Sequence, residues 1–224
     1  MRDETNGGVW GWRLALGGLL CGFLALTGCE NSSSDSHLGD GWDFGPNNPN
    51  LYVALGDSIT AGSGLSNPAD CYTAKLGGLL GRTVINKGFP GASSGEVLDS
   101  CFSILDDIKP GYMLILIGVN DLIMGYGEDV AAVNIRIMVQ ACKDNKTIPV
   151  VATLTPTFGN YVGLTSGINR LNSQIGKLCS DLGVAQVDLN GAFDDNSTYI
   201  QSDGLHPNEG GHALMAATFY DVVK

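Results

Sequence analysis

The sequence predicts an α/β protein built on an open parallel sheet of five strands, with helices on both faces. Three observations point there. Short apolar runs recur along the chain, several of them ended by glycine. Segments of helix length separate the runs, which is the alternation a parallel sheet requires. The 224 residues, 44% hydrophobic and 16% charged, suit one packed core and exclude a disordered chain.

Leu51 to Leu55, ended by Gly56, opens the sheet, and Val84-Ile85 makes a weaker second run. Tyr112 to Ile117 (YMLILI) is the strongest and stops at Gly118; Ile148 to Leu154 and Val184 to Leu189 complete the set. Continuous apolar runs suit strands buried on both faces. The intervening helices are expected at 69–80, 94–107, 128–144, 165–182 and 210–223. Many of the 32 glycines fall where strands end, a pattern of tight turns and close backbone approach. Ligands of such sheets sit at the carboxyl ends of the strands, so the loops after Leu55, Asn86, Ile117 and Leu154 should form one rim.

Ahead of this domain, Arg2 and Arg13 flank a polar start and Leu14 to Leu26 is almost wholly apolar. That run is shorter than the ~20 residues a membrane-spanning helix needs and matches a signal-peptide core. Leu26-Thr27-Gly28-Cys29 follows and resembles the lipobox of bacterial lipoprotein signal peptides. The resemblance implies a signal peptide over 1–28, cleavage before Cys29, lipid on that cysteine and a place in the bacterial cell envelope. An ordinary secretory signal is the alternative. Residues 29–50, rich in Ser, Asp, Gly, Asn and Pro, read as a flexible tether, and the domain as 51–224. The net charge of −11, with no basic cluster, excludes a phosphate-tracking nucleic-acid binder and a polybasic membrane patch.

Once the signal and Cys29 are set aside, Cys71, Cys101, Cys142 and Cys179 remain, and three pairings are open. Cys142 and Cys179 stand at similar heights before the strands at Ile148 and Val184, so neighbouring helices would bring them together. That leaves Cys71 with Cys101; four buried free thiols are the alternative. No metal-ligand spacing occurs among them, and no metal or cofactor is expected.

The rim carries the chemistry. Gly56-Asp57-Ser58 places a serine at a strand-to-helix turn, among backbone N–H groups. The second loop reads Asn86 to Ser94, with Gly88 and Gly91, and the third Gly118-Val119-Asn120-Asp121. Near the C-terminus, Asp203-Gly204-Leu205-His206 puts a carboxylate three residues before a histidine, on the same side of one turn. Serine, histidine and an orienting carboxylate are what acyl transfer requires.

These four blocks, in this order over nearly all of 51–221, resemble the SGNH, or GDSL-type, serine hydrolases. The resemblance implies a flavodoxin-like three-layer sandwich. It also implies an acyl-enzyme with Ser58 as nucleophile, His206 as acid–base and Asp203 orienting it. The oxyanion hole would comprise the Ser58 and Gly91 N–H groups and the Asn120 amide. Gly91 matches the family glycine better than Gly88 because Ala92-Ser93-Ser94 follow it. Asp57 and Asp121 read as turn-forming acceptors. His212 shares an acid-x-x-His spacing but falls inside the last helix, whereas His206 precedes it.

Two other classes start from the same fold. Gly56 to Gly64 lacks the Lys of a P-loop and the Rossmann spacing, so nucleotide binding leaves the Asp203–His206 block unexplained. A lipoprotein that keeps the fold and only binds a ligand is the other, although every catalytic position is filled. Leu122, Ile123, Met124 and Tyr126, with Phe158, Tyr161, Val162 and Leu164, place apolar side chains beside the expected oxyanion hole. They suit an acyl or aryl group. The expected function is therefore an esterase, lysophospholipase or arylesterase, monomeric and lipid-anchored, with a carbohydrate acetylesterase as the alternative.

Overall fold

The computed structural model describes residues 37–224. In chain order, β1 (Asn48–Gly56) leads through α1 (Ser58–Ala61) and α2 (Tyr72–Leu80) to β2 (Thr83–Gly88). Then α3 (Ser94–Ile108) leads to β3 (Pro110–Leu116), and α4 (Val119–Ile123) and α5 (Glu128–Asp144) to β4 (Ile148–Ala152). Finally α6 (Thr165–Leu182) leads to β5 (Ala185–Val187), followed by α7 (Leu189–Phe193) and α8 (Glu209–Val223). All five strands are parallel, in the order β2-β1-β3-β4-β5, as the sequence predicts.

The apolar runs are continuous because the central strands are covered on both sides: β3 is buried at every position. Helices α3, α5 and α6 pack side by side, and α2 packs on α8. From β1 the chain steps one way to β2, then back past β1 to β3, so right-handed crossovers put α2 and α3 on opposite faces. That reversal is the switch point of the sheet, and the carboxyl ends of β1 and β3 flank it. Gly56 pairs in register with Gly88 on one side and Leu116 on the other, so three loops leave the sheet at one height. The fit there is close: a Cβ on Gly56 would stand 2.2 Å from the Leu116 carbonyl oxygen.

The tether boundary differs from expectation. The described chain packs on the sheet from residue 37, and β1 begins at Asn48 rather than Leu51. Leu38 accepts from the Tyr112 hydroxyl at 2.7 Å, Trp42 Nε1 donates to the Lys146 carbonyl at 3.0 Å, and Asn47 Nδ2 to the Asn145 carbonyl at 2.6 Å. Phe44 packs on Tyr112 with ring centroids 5.6 Å apart. Residues 37–47 are thus a strap across the amino-terminal ends of β3 and β4. Its polar composition conceals this, because most of its grip is on backbone carbonyls. The signal peptide and Cys29 lie outside the described residues.

The disulfide expectation is overturned: Cys71, Cys101, Cys142 and Cys179 are all free and buried. Helices α5 and α6 are neighbours as argued, but it is Cys101 of α3, rather than Cys179, that acts on the Cys142 thiol and helps to raise its pKa. Cys71 caps α2 on the other face and contacts the Thr60 carbonyl at 3.4 Å and Asn86 Nδ2 at 3.5 Å. Burial pushes the Cys179 thiol up to about 11.

His212 is a core residue. It is fully buried, and its Nδ1 accepts the Tyr72 N–H at 3.2 Å, supplying the first turn of α2 with an acceptor that the Cys71 side chain does not provide. Burial lowers its pKa to about 4, so the ring is neutral at pH 7.

Candidate active site

Ser58 is the first residue of α1, directly after β1. Asp57 caps the helix by accepting the Ile59 N–H at 2.9 Å, which leaves the Ser58 N–H at a position with no intrahelical partner. The Ser58 hydroxyl lies 2.8 Å from His206 Nε2, and His206 Nδ1 lies 2.6 Å from Asp203 Oδ2. The structure therefore brings together the three residues the sequence selects and leaves His212 outside the relay.

The turn carrying the histidine is held from several sides. Asp203 Oδ1 accepts the Leu205 and His206 N–H groups at 2.9 and 3.1 Å, and the Gln201 N–H donates to the His206 carbonyl at 2.8 Å. Gly204 has φ +82°, and a Cβ there would stand 2.2 Å from the Phe158 carbonyl oxygen, so no other residue fits. Partial burial acts to raise the Asp203 pKa, but the hydrogen bonds from His206 and Leu205 outweigh it and hold the carboxyl below its ordinary value. It is thus ionised at neutral pH and orients the imidazole.

Two further donors stand on the neighbouring loops. Phe89-Pro90-Gly91-Ala92 forms a turn closed by Ala92 N–H to Phe89 O at 3.0 Å, with Gly91 at φ +81°, the positive φ that position requires. Among the described residues, the Gly91 N–H makes no hydrogen bond. Gly88 serves packing instead: a Cβ on it would stand 2.1 Å from the Ala61 N, so it allows β2 to pass α1 closely. Asn120, in α4, spends one Nδ2 hydrogen on the Ala92 carbonyl at 2.9 Å and keeps the other. Ser58 N–H, Gly91 N–H and Asn120 Nδ2 all stand at the carboxyl ends of β1, β2 and β3.

Beside them are two buried carboxyls. Burial pushes Asp57 up to about 7, with the Asp121 charge adding to it and the Ile59 N–H and His206 opposing it. Asp57 is a turn-forming acceptor as the sequence reading has it, in the form of a helix cap; for Asp121 that reading is too small. Asp121 is fully buried and reaches across to α3, accepting the Ser94 N–H at 2.8 Å and the Ser94 hydroxyl at 2.6 Å. The one sequence signal for this role is a carboxylate set among Val119, Leu122 and Ile123 at the end of the most buried strand.

The raised Asp57 pKa predicts a pH dependence of stability. The carboxyl titrates near 3.8 when unfolded and near 7 when folded, so it costs nothing below pH ~4 and its penalty grows as pH rises toward 7. Asn in its place keeps the capping oxygen and removes the charge. Asp57→Asn is expected to melt roughly 5–10 °C above wild type at pH 8, with little difference at pH 4. Thermal unfolding at both pH values checks it, and an equal gap at both would refute the titration.

The apolar rim divides in two. Leu122, Phe158, Tyr161 and Leu164 are half-buried and pack on the core, whereas Ile123, Met124, Tyr126 and Val162 are 41–61% exposed. A cavity of about 400 Å³ opens elsewhere, between Gly64, Leu65 and Ser66 past Ser58 and Asn208, Glu209 and Gly210 past His206, with Gln201 at its wall.

A sequence model of the GDSL-like lipase/acylhydrolase family matches residues 54–214, which carry all of these groups. The chain belongs to this family. No curated protein sequence matches it. Among solved structures, a lipolytic protein of the G-D-S-L family from Veillonella parvula superposes with TM-score 0.69 at 17% identity, covering 77% of this chain and 97% of that one. The psychrotrophic esterase EstA from Pseudoalteromonas sp., inhibited by monoethylphosphonate, gives 0.65 at 22% identity, over 78% and 96%. A catalytic mutant of an acetylxylan esterase from Geobacillus stearothermophilus gives 0.63 at 20%, over 79% and 95%. At these identities the likeness establishes the fold. With the family match, this GDSL-family chain is a carboxylic ester hydrolase.

Proposed function

We propose that this GDSL-family hydrolase works through an acyl-enzyme on Ser58 and takes esters with apolar acyl or aryl groups. The observation that carries the mechanism is the continuous relay from the Ser58 hydroxyl through His206 to Asp203, with unspent donors beside it. Ser58 Oγ attacks the ester carbonyl while His206 Nε2 takes its proton. The negative charge on the carbonyl oxygen is met by the Ser58 and Gly91 N–H groups and Asn120 Nδ2. Collapse breaks the bond to the alcohol, which leaves with the proton from His206. Water then repeats the sequence against the acyl-serine and releases the acid. Asp203 stays ionised throughout and stabilises the imidazolium.

Support for an apolar acyl group comes from Ile123, Met124, Tyr126 and Val162, which remain exposed in the segments after β3 and β4. The cavity bounded by Ser66, Gln201, Asn208 and Glu209 favours the second reading, a carbohydrate acetylesterase, because the Ser66 hydroxyl, Gln201 Oε1 and the Glu209 side chain make no hydrogen bond among the described residues. A screen of p-nitrophenyl esters from acetate to dodecanoate, lysophosphatidylcholine and acetylated xylan separates them. The first reading expects kcat/KM to rise with acyl length beyond acetate; preference for acetate and turnover of acetylated xylan would replace it with the second. We assign residues 1–28 and Cys29 to a lipoprotein signal and lipid anchor in the cell envelope. Incorporation of a labelled fatty acid, lost in Cys29→Ser, tests that assignment.

A further inference from the structure

We infer that Asp121 is a positioning residue of the oxyanion hole: through Ser94 its carboxylate fixes the Gly91-bearing turn relative to the Asn120 amide. The inference rests on the acyl-enzyme reading above and adds to it a residue that touches neither substrate nor Ser58.

The two donors sit on separate segments, one between β2 and α3 and the other on α4, so their spacing needs a cross-link. Asp121 provides it with both carboxylate oxygens: Oδ2 accepts the Ser94 N–H and Oδ1 the Ser94 hydroxyl. A two-point grip fixes orientation as well as distance. Ser94 opens α3, immediately after the turn that holds Gly91. Asn134 of α5 donates to the Ser94 oxygen at 2.8 Å, which commits the hydroxyl hydrogen to Asp121. One residue away, Asn120 holds the Ala92 carbonyl. Consecutive residues of α4 therefore grip the same loop at Ala92 and at Ser94.

The residue type is informative. No lysine, arginine or histidine side chain bonds Asp121 among the described residues, and buried Asp57 adds repulsion. A buried carboxylate without a cation is costly, and a plain turn would be served as well by asparagine. An acceptor-only group is required because both Ser94 partners donate. The loop beyond α4 is closed separately, by the Tyr126 and Gly127 N–H groups donating to the Asp121 backbone carbonyl at 2.8 and 3.3 Å, which a side-chain variant leaves in place.

The test uses the full chain, p-nitrophenyl acetate as substrate, and hydrogen exchange of the 88–96 amides. Asp121→Ala is expected to lower kcat roughly 10–10²-fold with KM within about twofold, and Asp121→Asn, which keeps one acceptor, to lie between it and wild type. In an Asn120→Ala background the Asp121→Ala loss should shrink below about threefold, since both act on one hole. Exchange across 88–96 should rise about tenfold or more while β3 stays protected. Should Asp121→Ala fail to fold, Ser94→Ala removes one arm of the same grip and is read the same way. An equal loss in both backgrounds, a change confined to KM, or unaltered exchange at 88–96 would overturn the inference. Absence of any esterase activity and of phosphonate labelling at Ser58 in wild type would instead refute the acyl-enzyme reading, and exchange would still decide the grip.

Discussion

Ser58→Ala is expected to lower kcat by roughly 10⁴–10⁶ while leaving the protein folded. Among the described residues, the Ser58 hydroxyl is the one that hydrogen-bonds His206 Nε2, at 2.8 Å. Removing it takes away the nucleophile but not the donors around it, so residual catalysis by the oxyanion hole should persist at a low level. Stability should change little, because the Asp57 cap and the Asp203–His206 pair do not depend on Oγ. Treatment with a fluorophosphonate followed by peptide mass spectrometry locates the nucleophile directly. The adduct should fall on the peptide containing Ser58 and vanish in the variant. Labelling at Ser93 or Ser94, or undiminished turnover by Ser58→Ala, would remove Ser58 from its role.

Asn120→Ala should cost roughly 10²–10³ in kcat with KM nearly unchanged, the pattern of a donor used only when charge develops on the substrate oxygen. The amide also holds the Ala92 carbonyl at 2.9 Å, so part of the loss reflects a looser turn around Gly91. Asn120→Asp keeps the size, loses both donated hydrogen bonds, that to the Ala92 carbonyl included, and sets a negative charge where one must form. It should be slower still than alanine. If either variant raises KM and spares kcat, Asn120 binds the ester ground state and the hole lacks its third donor.

Much of this is legible from the residues. The strongest run announces itself because β3 is buried at every position and is apolar but for the Tyr112 hydroxyl. Helices α3, α5 and α6 fall within about one residue of their predicted ends, since each is long enough to show its period. The five-residue α4 and α7 are too short for a period and leave no such mark. Ser58, Asp203 and His206 follow from local grammar: a strand end, an acid-x-x-His turn and the start of a helix. The cysteine pairing fails on a finer scale. The neighbouring helices are correctly inferred, but whether Cys142 turns toward α3 or α6 depends on rotation about its own helix axis, which spacing between strands does not fix. Asp121 is undervalued in the sequence because its partner, Ser94, is distant along the chain and nothing near it hints at the contact.

The strap over residues 37–47 has a consequence for how the domain is held. It crosses the amino-terminal ends of β3 and β4, touching Tyr112, Asn145 and Lys146, whereas Ser58 and His206 open at the carboxyl ends of the strands. Handle and mouth are therefore at opposite poles. Within the described residues the chain enters the domain at the end of the sheet opposite to Ser58 and His206.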